Sequence, residues 1–345
     1  MTIGGDAPVS VQGMTKTHTE DVDATVSQVE ELADTGCQIV RCAVPNRRAL
    51  RALGDILEQS PIPVIADLHF QPELALRAIE EGADGVRVNP GNMKDKDGLK
   101  RVFAAARDRD IKVRIGVNSG SVRPRKGMEV DSTAEAADID MAKLMVDEAL
   151  ACCRLAEEVD FRNIVLSMKG SDVPTTMRAY RMAADRSDYP LHVGVTAAGP
   201  PEESVIKSSI GIGGLLAEGI GDTIRVSMTG PPVQEVTVGI RILEALGLRE
   251  RRGPEIVSCP TCARCHVDLS NIVEEVGRRL KDSRLDLTVA VMGCVVNGPG
   301  EAAEADVGIA GGKDFGFVFR GGEKVKKVDS PELVDALMAE IEKLA

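Results

Sequence analysis

The chain has 345 residues, of which 43% are hydrophobic and 28% charged, and its net charge at pH 7 is −12. This acidic balance argues against a nucleic-acid groove or an anionic membrane surface as the main partner. No apolar run has transmembrane length and no basic-then-apolar N-terminus is present, so neither a membrane span nor a signal peptide is expected. Eight cysteines in such a chain favour a reducing compartment, with the cytosol as the expected location.

Short aliphatic runs bounded by turn residues recur along the first two thirds of the chain. They begin near Val9, Ile39, Pro63, Gly85, Lys112, Ile164, Leu191 and Thr223. Most are separated by segments with helical periodicity, such as DATVSQVEELADTG, and several of these segments end in glycine, as helices often do. With no tryptophan and few other aromatics, the core must be aliphatic, which suits buried parallel strands.

Eight β-then-α units predict an α/β protein whose residues 1–250 form a TIM (β/α)8 barrel. An open doubly wound sheet is the alternative, but it requires no such regular count. After a charged, Gly- and Pro-bearing linker from Arg249 to Pro254 the pattern changes. Residues 254–345 contain a helix, a strand, a glycine-rich loop, further short strands and a terminal helix, which predict a small α+β domain.

Polar side chains follow or end most of the predicted barrel strands, where a TIM barrel has its active site. They are Gln12, Thr15, Arg41, Asp67, His69, Arg87, Asn89, Arg114, Asn118, Lys169, Arg225 and Ser227. Four arginines and one lysine would therefore converge on one mouth, and guanidinium forks match phosphate oxygens. These residues predict a strongly anionic ligand, most plausibly a diphosphate. The alternative is that each arginine pairs with a neighbouring carboxylate.

A second group of chemistry-bearing residues lies beyond the linker. Cys259, Cys262 and Cys265 form a CxxCxxC run, and Cys294 follows about thirty residues later at the end of a predicted strand. A closed zinc site could use Cys259, Cys262, Cys294 and either Cys265 or His266, whereas an iron–sulfur cluster could use cysteines at the same spacing. Spacing alone leaves both open. The other cysteines are predicted to be structural: Cys37, Cys42, Cys152 and Cys153.

The motifs VQGMT, VRCAVP, DLHF, VRVNPGN, RIGVN, IRVS, SCPTC and GCVVNGPGE together resemble the IspG family, also called GcpE, of 4-hydroxy-3-methylbut-2-enyl diphosphate synthases. The resemblance runs from about Val9 to Gly312 and favours the bacterial two-domain form. It implies a TIM barrel followed by a [4Fe–4S] domain similar to a sulfite-reductase module.

The resemblance implies roles for individual residues. Cys259, Cys262 and Cys294 match the family's cluster cysteines, and Glu301 matches its unusual fourth ligand. A carboxylate binds iron less tightly than a thiolate, so Glu301 could leave and open one iron to substrate. Asp67 and His69 match polar groups near the substrate ring, and with Glu301 they are the expected catalytic residues. The expected diphosphate-binding residues are Arg41, Arg87, Arg114, Asn118, Lys169, Arg225 and Ser227. Asn89, one of the polar residues predicted at the strand ends, is expected to bind the substrate with them.

The reaction that the family implies is a two-electron reduction of 2-C-methyl-D-erythritol 2,4-cyclodiphosphate. The ring opens, one oxygen leaves as water, and an allylic diphosphate of isoprenoid biosynthesis results. A ferredoxin or flavodoxin is the expected electron donor. The resemblance also implies a homodimer in which the cluster domain of one chain caps the barrel of the other.

Two departures from the family pattern stand out. The family usually has Thr-Glu-Ala-Gly after the seventh strand, whereas this chain has alanine at position 197. Either Glu202 or Glu203 reaches the site, or His69 with Asp67 handles protons, or the reaction in this variant is slow. Cys265 is the second departure, because it could compete with Glu301 for the fourth position. An alternative from a different class is a sugar-phosphate aldolase or lyase with a zinc-bearing domain, in which Lys169 would form a Schiff base.

Overall fold

The structure, a computed structural model, describes residues 1–122, 140–196, 199–294, 296 and 298–344. It divides into two compact units, Met1–Arg249 and Glu250–Ala345. Each unit has hydrophobic clusters of its own. Among the residues just given, no helix is long and apolar enough to cross a lipid bilayer.

The first unit is a parallel barrel of eight strands, which confirms the predicted fold class. The strands are β1 (Ser10–Met14), β2 (Ile39–Ala43), β3 (Val64–Asp67), β4 (Gly85–Val88), β5 (Lys112–Asn118), β6 (Ile164–Lys169), β7 (His192–Val193) and β8 (Thr223–Ile224). Their order is β6-β5-β4-β3-β2-β1-β8-β7. A parallel bridge between Leu166 and Leu191 links β6 to β7 and completes the ring, so the open-sheet alternative is wrong.

Helices follow the strands and surround the barrel. Those of the described residues are α1 (Val22–Asp34), α2 (Arg47–Gln59), α3 (Pro72–Glu80), α4 (Lys96–Asp108), α5 (Met141–Glu157), α6 (Val173–Arg186), α7 (Pro201–Ser208), α8 (Gly214–Ala217) and α9 (Pro232–Ala245). A capping carboxylate or amide accepts a backbone N–H at the start of five of them: Asp21, Asn46, Asp95, Asp140 and Asp172. These caps fix where each helix begins and so hold the strand-to-helix loops at one end of the barrel.

The last two barrel strands are shorter than the aliphatic runs that predict them. Each has two residues in the ladder, although the backbone N–H of Arg225 still donates to the carbonyl of Val193. Gly194 follows β7 at a place where a Cβ would lie 2.5 Å from the carbonyl oxygen of Arg225. The two strands therefore approach too closely there for regular pairing of residues with side chains, a constraint that hydrophobic periodicity does not reveal.

The barrel core is aliphatic, as predicted, with Phe103 stacked on Phe161 as its aromatic contact. The cysteines predicted to be structural, which are Cys37, Cys42, Cys152 and Cys153, are all buried there. Burial raises the pKa of the Cys42 thiol to about 11, so this thiol is protonated and unreactive at neutral pH.

The second unit is an α+β domain built on a five-stranded sheet in the order β13-β12-β11-β10-β9. Its strands are β9 (Glu255–Ser258), β10 (Thr288–Met292), β11 (Val307–Ala310), β12 (Phe315–Arg320) and β13 (Glu323–Asp329). Helices α10 (Leu269–Leu280) and α12 (Leu333–Ile341) pack on one face through Val276, Val291 and Leu337. Helix α11 (Gly298–Ala303) covers part of the other face, where Ala302 packs with Met292.

Candidate functional site

A layer of basic side chains lies inside the barrel. Arg41, Arg87, Arg114, Lys169 and Arg225 come from β2, β4, β5, β6 and the residue after β8, and their side chains are mostly buried. The sequence places them at the mouth, but Arg41 and Arg114 are each the third residue of a strand that continues beyond them. Arg41 and Arg114 therefore lie deeper in the barrel than predicted, whereas Lys169 ends β6 and Arg225 follows β8. We call the five basic residues together the cation layer.

Asp67 holds one side of the cation layer together. Its carboxylate is 3.1 Å from Nη1 of Arg87 and 3.4 Å from Nε of Arg41, and Nε2 of His69 is 3.6 Å away. Burial alone would raise the pKa of Asp67, but the charge of Arg41 and the contacts of His69 and Arg87 hold this pKa well below its ordinary value. Asp67 is thus a fixed anion. Arg87 also donates to the carbonyl of Gly116 at 2.9 Å.

Glu235 is the carboxylate that pairs with basic side chains on the opposite side of the layer. This residue of α9 is 1% exposed, and its carboxylate is 2.9 Å from Nη2 of Arg225 and 3.1 Å from Nζ of Lys16. Arg225 in turn donates from Nη1 to the hydroxyl of Ser227 at 2.9 Å. Sequence reasoning missed both Glu235 and Lys16. An acidic residue in the first turn of a helix is too common a pattern to indicate a buried ion pair.

Arg114 and Lys169 have no carboxylate within 4.0 Å in the part of the chain that the structure describes. Nη1 of Arg114 donates to Gln12, whereas its Nε and Nη2 are buried without a hydrogen-bond partner. Nζ of Lys169 is 3.3 Å from Nε2 of His192. Burial, together with the charges of Arg225 and Arg114, holds the pKa of Lys169 well below its ordinary value. Burial and the same cations lower the pKa of His192, so its imidazole is neutral.

Two glycines make room for these long side chains. A Cβ on Gly116 would lie 2.6 Å from Nε of Arg87, and a Cβ on Gly194 would lie 2.7 Å from Nζ of Lys169. Both glycines sit in aliphatic runs, and glycine inside a strand often marks the close approach of another group. The two glycines were visible in the sequence, but a glycine alone does not indicate which side chain approaches it. The buried His192 likewise has no distinguishing pattern in the sequence.

Of the amide and hydroxyl residues predicted at the strand ends, Asn118 and Ser227 are partly exposed, whereas Gln12, Thr15 and Asn89 are buried. Oδ1 of Asn89 accepts from the backbone N–H of Gly91 and the hydroxyl of Ser121. Ser121 also donates to the carbonyl of Asn118 at 2.8 Å. These contacts hold the segment after β5 against the segment after β4, so Asn89 and Asn118 both border the layer from one side.

Charge is unbalanced across this part of the barrel. Among the described residues, two carboxylates, Asp67 and Glu235, lie within 4.0 Å of the cation layer and Lys16. The arginines near them pair as the alternative prediction requires, but Arg114 and Lys169 do not. Buried cations without partners are costly, and a ligand carrying two or more negative charges would relieve that cost. The geometry thus supports the predicted anionic ligand.

One cavity lies beside Asp67, and another reaches the cation layer from the opposite end of the barrel. One of about 150 Å³ lies at the strand ends and is lined by Asp67, His69 and Phe70. A larger one, of about 250 Å³, opens among the first residues of the strands and reaches Arg114 and His192 from below. In TIM barrels catalytic groups gather at the C-terminal ends of the strands, so the smaller cavity lies on the side where chemistry is expected.

The segment that departs from the family pattern lies partly outside the described residues, because positions 197 and 198 are among those omitted. Glu202 and Glu203, the two carboxylates considered as substitutes, are exposed in the first turn of α7. In the described structure Glu203 is 3.9 Å from Lys207, and neither glutamate pairs with the cation layer. Asp67 and His69 therefore remain the polar groups beside it.

In the second unit three cysteines surround Gly293. The backbone N–H of Gly293 donates to Sγ of Cys259 at 3.3 Å, and a Cβ on Gly293 would lie 2.4 Å from Sγ of Cys265. Cys294 comes directly after this glycine and is buried. Cys259 precedes a turn in which Thr261 has φ of 43°, a left-handed conformation that is unusual for a β-branched residue. Such turns aim backbone N–H groups at an anion.

The remaining predicted ligands are more open. Cys262 is exposed, and Glu301 is exposed on α11. Within the described ranges, no three His, Cys, Asp or Glu side chains stand close enough to hold a single metal ion. Cys265 is half-buried and its thiol donates to the carbonyl of Val267 at 3.2 Å. Cys265 therefore packs beside Gly293 and contacts its own chain two residues on.

Comparisons with known proteins cover nearly all of the chain. Residues 1–240 match the GcpE TIM-barrel domain, and residues 255–343 match the GcpE protein C-terminal domain. A Geobacter sulfurreducens protein named 4-hydroxy-3-methylbut-2-en-1-yl diphosphate synthase (flavodoxin) is 54% identical over 99% of this chain and 95% of its own. A Clostridium perfringens protein of the same name is 50% identical over 99% of this chain and 95% of its own.

Similarity among solved structures is more distant. A Yersinia pestis dihydropteroate synthase superposes with a TM-score of 0.49 at 12% identity, over 70% of this chain and 92% of its own. The barrel and the cysteine-bearing domain each match a GcpE domain, and relatives align from end to end at half identity or more. From these matches it follows that the chain belongs to the GcpE family.

Proposed function

We infer that the protein is a 4-hydroxy-3-methylbut-2-en-1-yl diphosphate synthase, an oxidoreductase of isoprenoid biosynthesis. We propose that its substrate, 2-C-methyl-D-erythritol 2,4-cyclodiphosphate, binds with its two phosphates at the cation layer. The observation that carries this proposal is the pair Arg114 and Lys169, which are buried, cationic in type and without a carboxylate partner in the described structure. The aldolase alternative fails, because both domains match those of the GcpE family.

The barrel residues bind and orient the cyclic diphosphate. Arg114 offers two free guanidinium nitrogens, and Lys169 offers a point charge, to the phosphate oxygens. Arg41, Arg87 and Arg225 complete the binding set, with Asn89, Asn118 and Ser227 as polar contacts. Because Asp67 and Glu235 are already paired, they hold the arginines in place before the substrate arrives.

Asp67 and His69 are the groups that we assign to the sugar ring. The lowered pKa of Asp67 keeps this carboxylate ionised, so it accepts hydrogen bonds from hydroxyl groups and is a poor proton donor. His69 has 38% of its side chain exposed and lies beside the strand-end cavity. It can therefore exchange a proton with solvent and deliver it to the departing hydroxyl, which leaves as water.

The second unit would hold a [4Fe–4S] cluster through Cys259, Cys262, Cys294 and Glu301. Three thiolates suit iron, and the N–H of Gly293 directed at Cys259 suits a cluster's anionic sulfurs, so these residues fit the group. When bound, the cluster supplies electrons one at a time to the two-electron reduction. We propose flavodoxin or ferredoxin as the donor, flavodoxin being the one that the relatives' names give. A cytosolic homodimer is proposed on the same family resemblance.

Spectroscopy of the reduced protein tests this function. Anaerobically purified protein is expected to be brown, with four irons and four sulfides per chain, as a [4Fe–4S] cluster requires. Its electron paramagnetic resonance spectrum is expected to change when the cyclodiphosphate is added and to stay unchanged with free pyrophosphate. A colourless zinc protein, or a spectrum indifferent to the cyclodiphosphate, would overturn the proposal.

Substrate binding is expected to take up a proton at Lys169. Burial lowers the pKa of this lysine, and a bound diphosphate would raise it by adding negative charge nearby. Affinity for the cyclodiphosphate is therefore constant below the pKa that Lys169 has in the free enzyme. It falls by up to about tenfold per pH unit between that pKa and the higher pKa that Lys169 has in the complex. Each phosphorus of the cyclic diphosphate carries one ester bond, one anhydride bond and a single strongly acidic oxygen, so the substrate has no proton of its own to exchange in this range.

Calorimetry in two buffers of different ionisation enthalpy measures this proton uptake directly. The unmodified holoenzyme should show about one proton bound per site above the free-state pKa of Lys169. Lys169→Met removes the titrating group and is expected to abolish the buffer dependence. Equal heats in both buffers for the unmodified enzyme would show that Lys169 is already charged in the empty barrel.

A further inference from the structure

One edge of the second unit's sheet combines aromatic rings with lysines. On β12, Phe315 and Phe317 are half-buried and stack edge to face, with ring centroids 5.5 Å apart. On β13, Nζ of Lys327 is 3.5 Å from the ring centre of Phe315, and Nζ of Lys324 is 4.2 Å from that of Phe317. We call these four residues the basic aromatic face.

A β-bulge places both lysines on this face. Lys327 pairs with Phe317 and Lys326 with Val318, but the register then shifts so that Lys324 pairs with Phe319. Without the shift, Lys324 and Lys327 would project to opposite sides of the strand, because their separation of three residues is odd. The bulge therefore builds a surface with two ammonium groups over two rings.

The two lysines have no carboxylate within 4.0 Å in the described part of the chain, and both are exposed. One acidic residue, Asp329, pairs with Phe315 at the margin of the face. The local composition is nevertheless basic, since residues 313–327 contain five lysines and arginines against two acids. Cations stacked on rings remain available to a partner's carboxylates while their stems cover apolar surface.

This face adjoins the proposed cluster ligands. Phe317 packs against the small hydrophobic group that contains Met292, and Cys259 packs against the same group. Met292 ends β10, directly before Gly293 and Cys294. Because β12 is two strands from β10, the rings lie about 10 Å from that strand. A protein bound on the face would be within short reach of the cluster.

We propose that the basic aromatic face is the docking site of an acidic, one-electron donor protein. The inference rests on the proposed function, because only a redox enzyme needs such a donor. With a net charge of −12, this protein repels an acidic partner at long range, so productive docking requires a locally basic surface. The face supplies that surface at the edge of the domain that holds the cluster, and its rings supply apolar contact area.

Steady-state kinetics with two reductants tests the inference. In the holoenzyme, Lys324→Glu with Lys327→Glu is expected to raise the KM for an acidic flavodoxin about tenfold at low salt and to remove most of its salt dependence. Turnover of the cyclodiphosphate driven by dithionite should stay within twofold. The control variant carries Lys281→Glu and Arg284→Glu, on exposed residues beyond α10, and changes the net charge by the same amount. It is expected to leave the flavodoxin KM unchanged.

Three outcomes would overturn the inference. The first is an unchanged flavodoxin KM in the Lys324 and Lys327 variant, and the second is an equal rise in the control variant, which would show an effect of net charge alone. The third is loss of dithionite-driven turnover or of dimerisation, seen both in the Lys324 and Lys327 variant and in a milder variant with glutamine at the same two positions. That result would show that the face binds a second copy of the chain. Absence of dithionite-driven turnover in the unmodified enzyme would instead refute the proposed function.

Discussion

Replacing Arg114 with methionine is expected to lower kcat/KM for the cyclodiphosphate about a thousandfold while leaving the cluster spectrum unchanged. Two guanidinium nitrogens of Arg114 are buried without partners, and under the proposed function each donates a charge-assisted hydrogen bond to a phosphate oxygen. At about 2 kcal/mol for each such bond, their loss amounts to about 4 kcal/mol, which corresponds to that factor. Methionine keeps the apolar stem and removes the charge.

The same substitution is expected to raise the melting temperature. Arg114 lies in register with Arg87, and burial with the charges of Arg41 and Arg87 holds the pKa of Arg114 well below its ordinary value. An unpaired buried cation opposes folding, so its removal should stabilise the protein even though Gln12 loses a donor. Stability and activity then change in opposite directions, as at binding sites that are strained until occupied.

Arg225→Met is the matched control. It should also weaken substrate binding, but it leaves Glu235 buried with Lys16 as its remaining cation, so the melting temperature is expected to fall. Thermal unfolding and steady-state kinetics on both variants separate the two roles. If Arg114→Met were less stable than the unmodified protein and kept kcat/KM within threefold, Arg114 would be a structural residue and the anion site would lie elsewhere.

The barrel was predictable because its evidence is local. Each strand is an aliphatic run, most helices have their own periodicity and five have a capping side chain, so eight short stretches of sequence suffice to indicate the fold. The basic residues were predictable for the same reason, since each lies on a strand. Their depth was not, because how far β5 continues past Arg114 depends on its pairing with β6, where Asn118 reaches Lys169.

The partners of the basic residues were beyond sequence reasoning. Glu235 reaches Arg225 from a helix whose acidic first turn is ordinary, and His192 reaches Lys169 across 23 residues of chain. The sequence gives the number of charged residues, but which cation lies beside which carboxylate depends on the fold. The sequence therefore could not decide which basic residues lack a carboxylate partner. The same limit applies to the basic aromatic face, where a shift of register decides which side of the sheet Lys324 occupies.

Cys294→Ala is expected to abolish cluster binding, whereas Cys265→Ala is expected to retain it. Cys294 is buried two residues after β10 and directly follows the glycine whose N–H donates to Cys259, so the two cysteines are close to the same backbone segment. The thiol of Cys265 instead donates to the carbonyl of Val267 and packs beside Gly293. Its removal should cost about 1 kcal/mol of stability through the lost hydrogen bond.

Iron and acid-labile sulfide per chain, measured after anaerobic reconstitution, distinguish the two variants. Glu301→Ala belongs in the same series, because Glu301 and Cys265 are the rivals for the fourth position. If Glu301 is the ligand, its loss should change the spectrum of the reduced cluster, and Cys265→Ala should not. Retention of iron by Cys294→Ala together with its loss from Cys265→Ala would mean that the ligand set is Cys259, Cys262 and Cys265. Cys265 would then take the place of Cys294, and the ligand set that the family resemblance implies would be wrong.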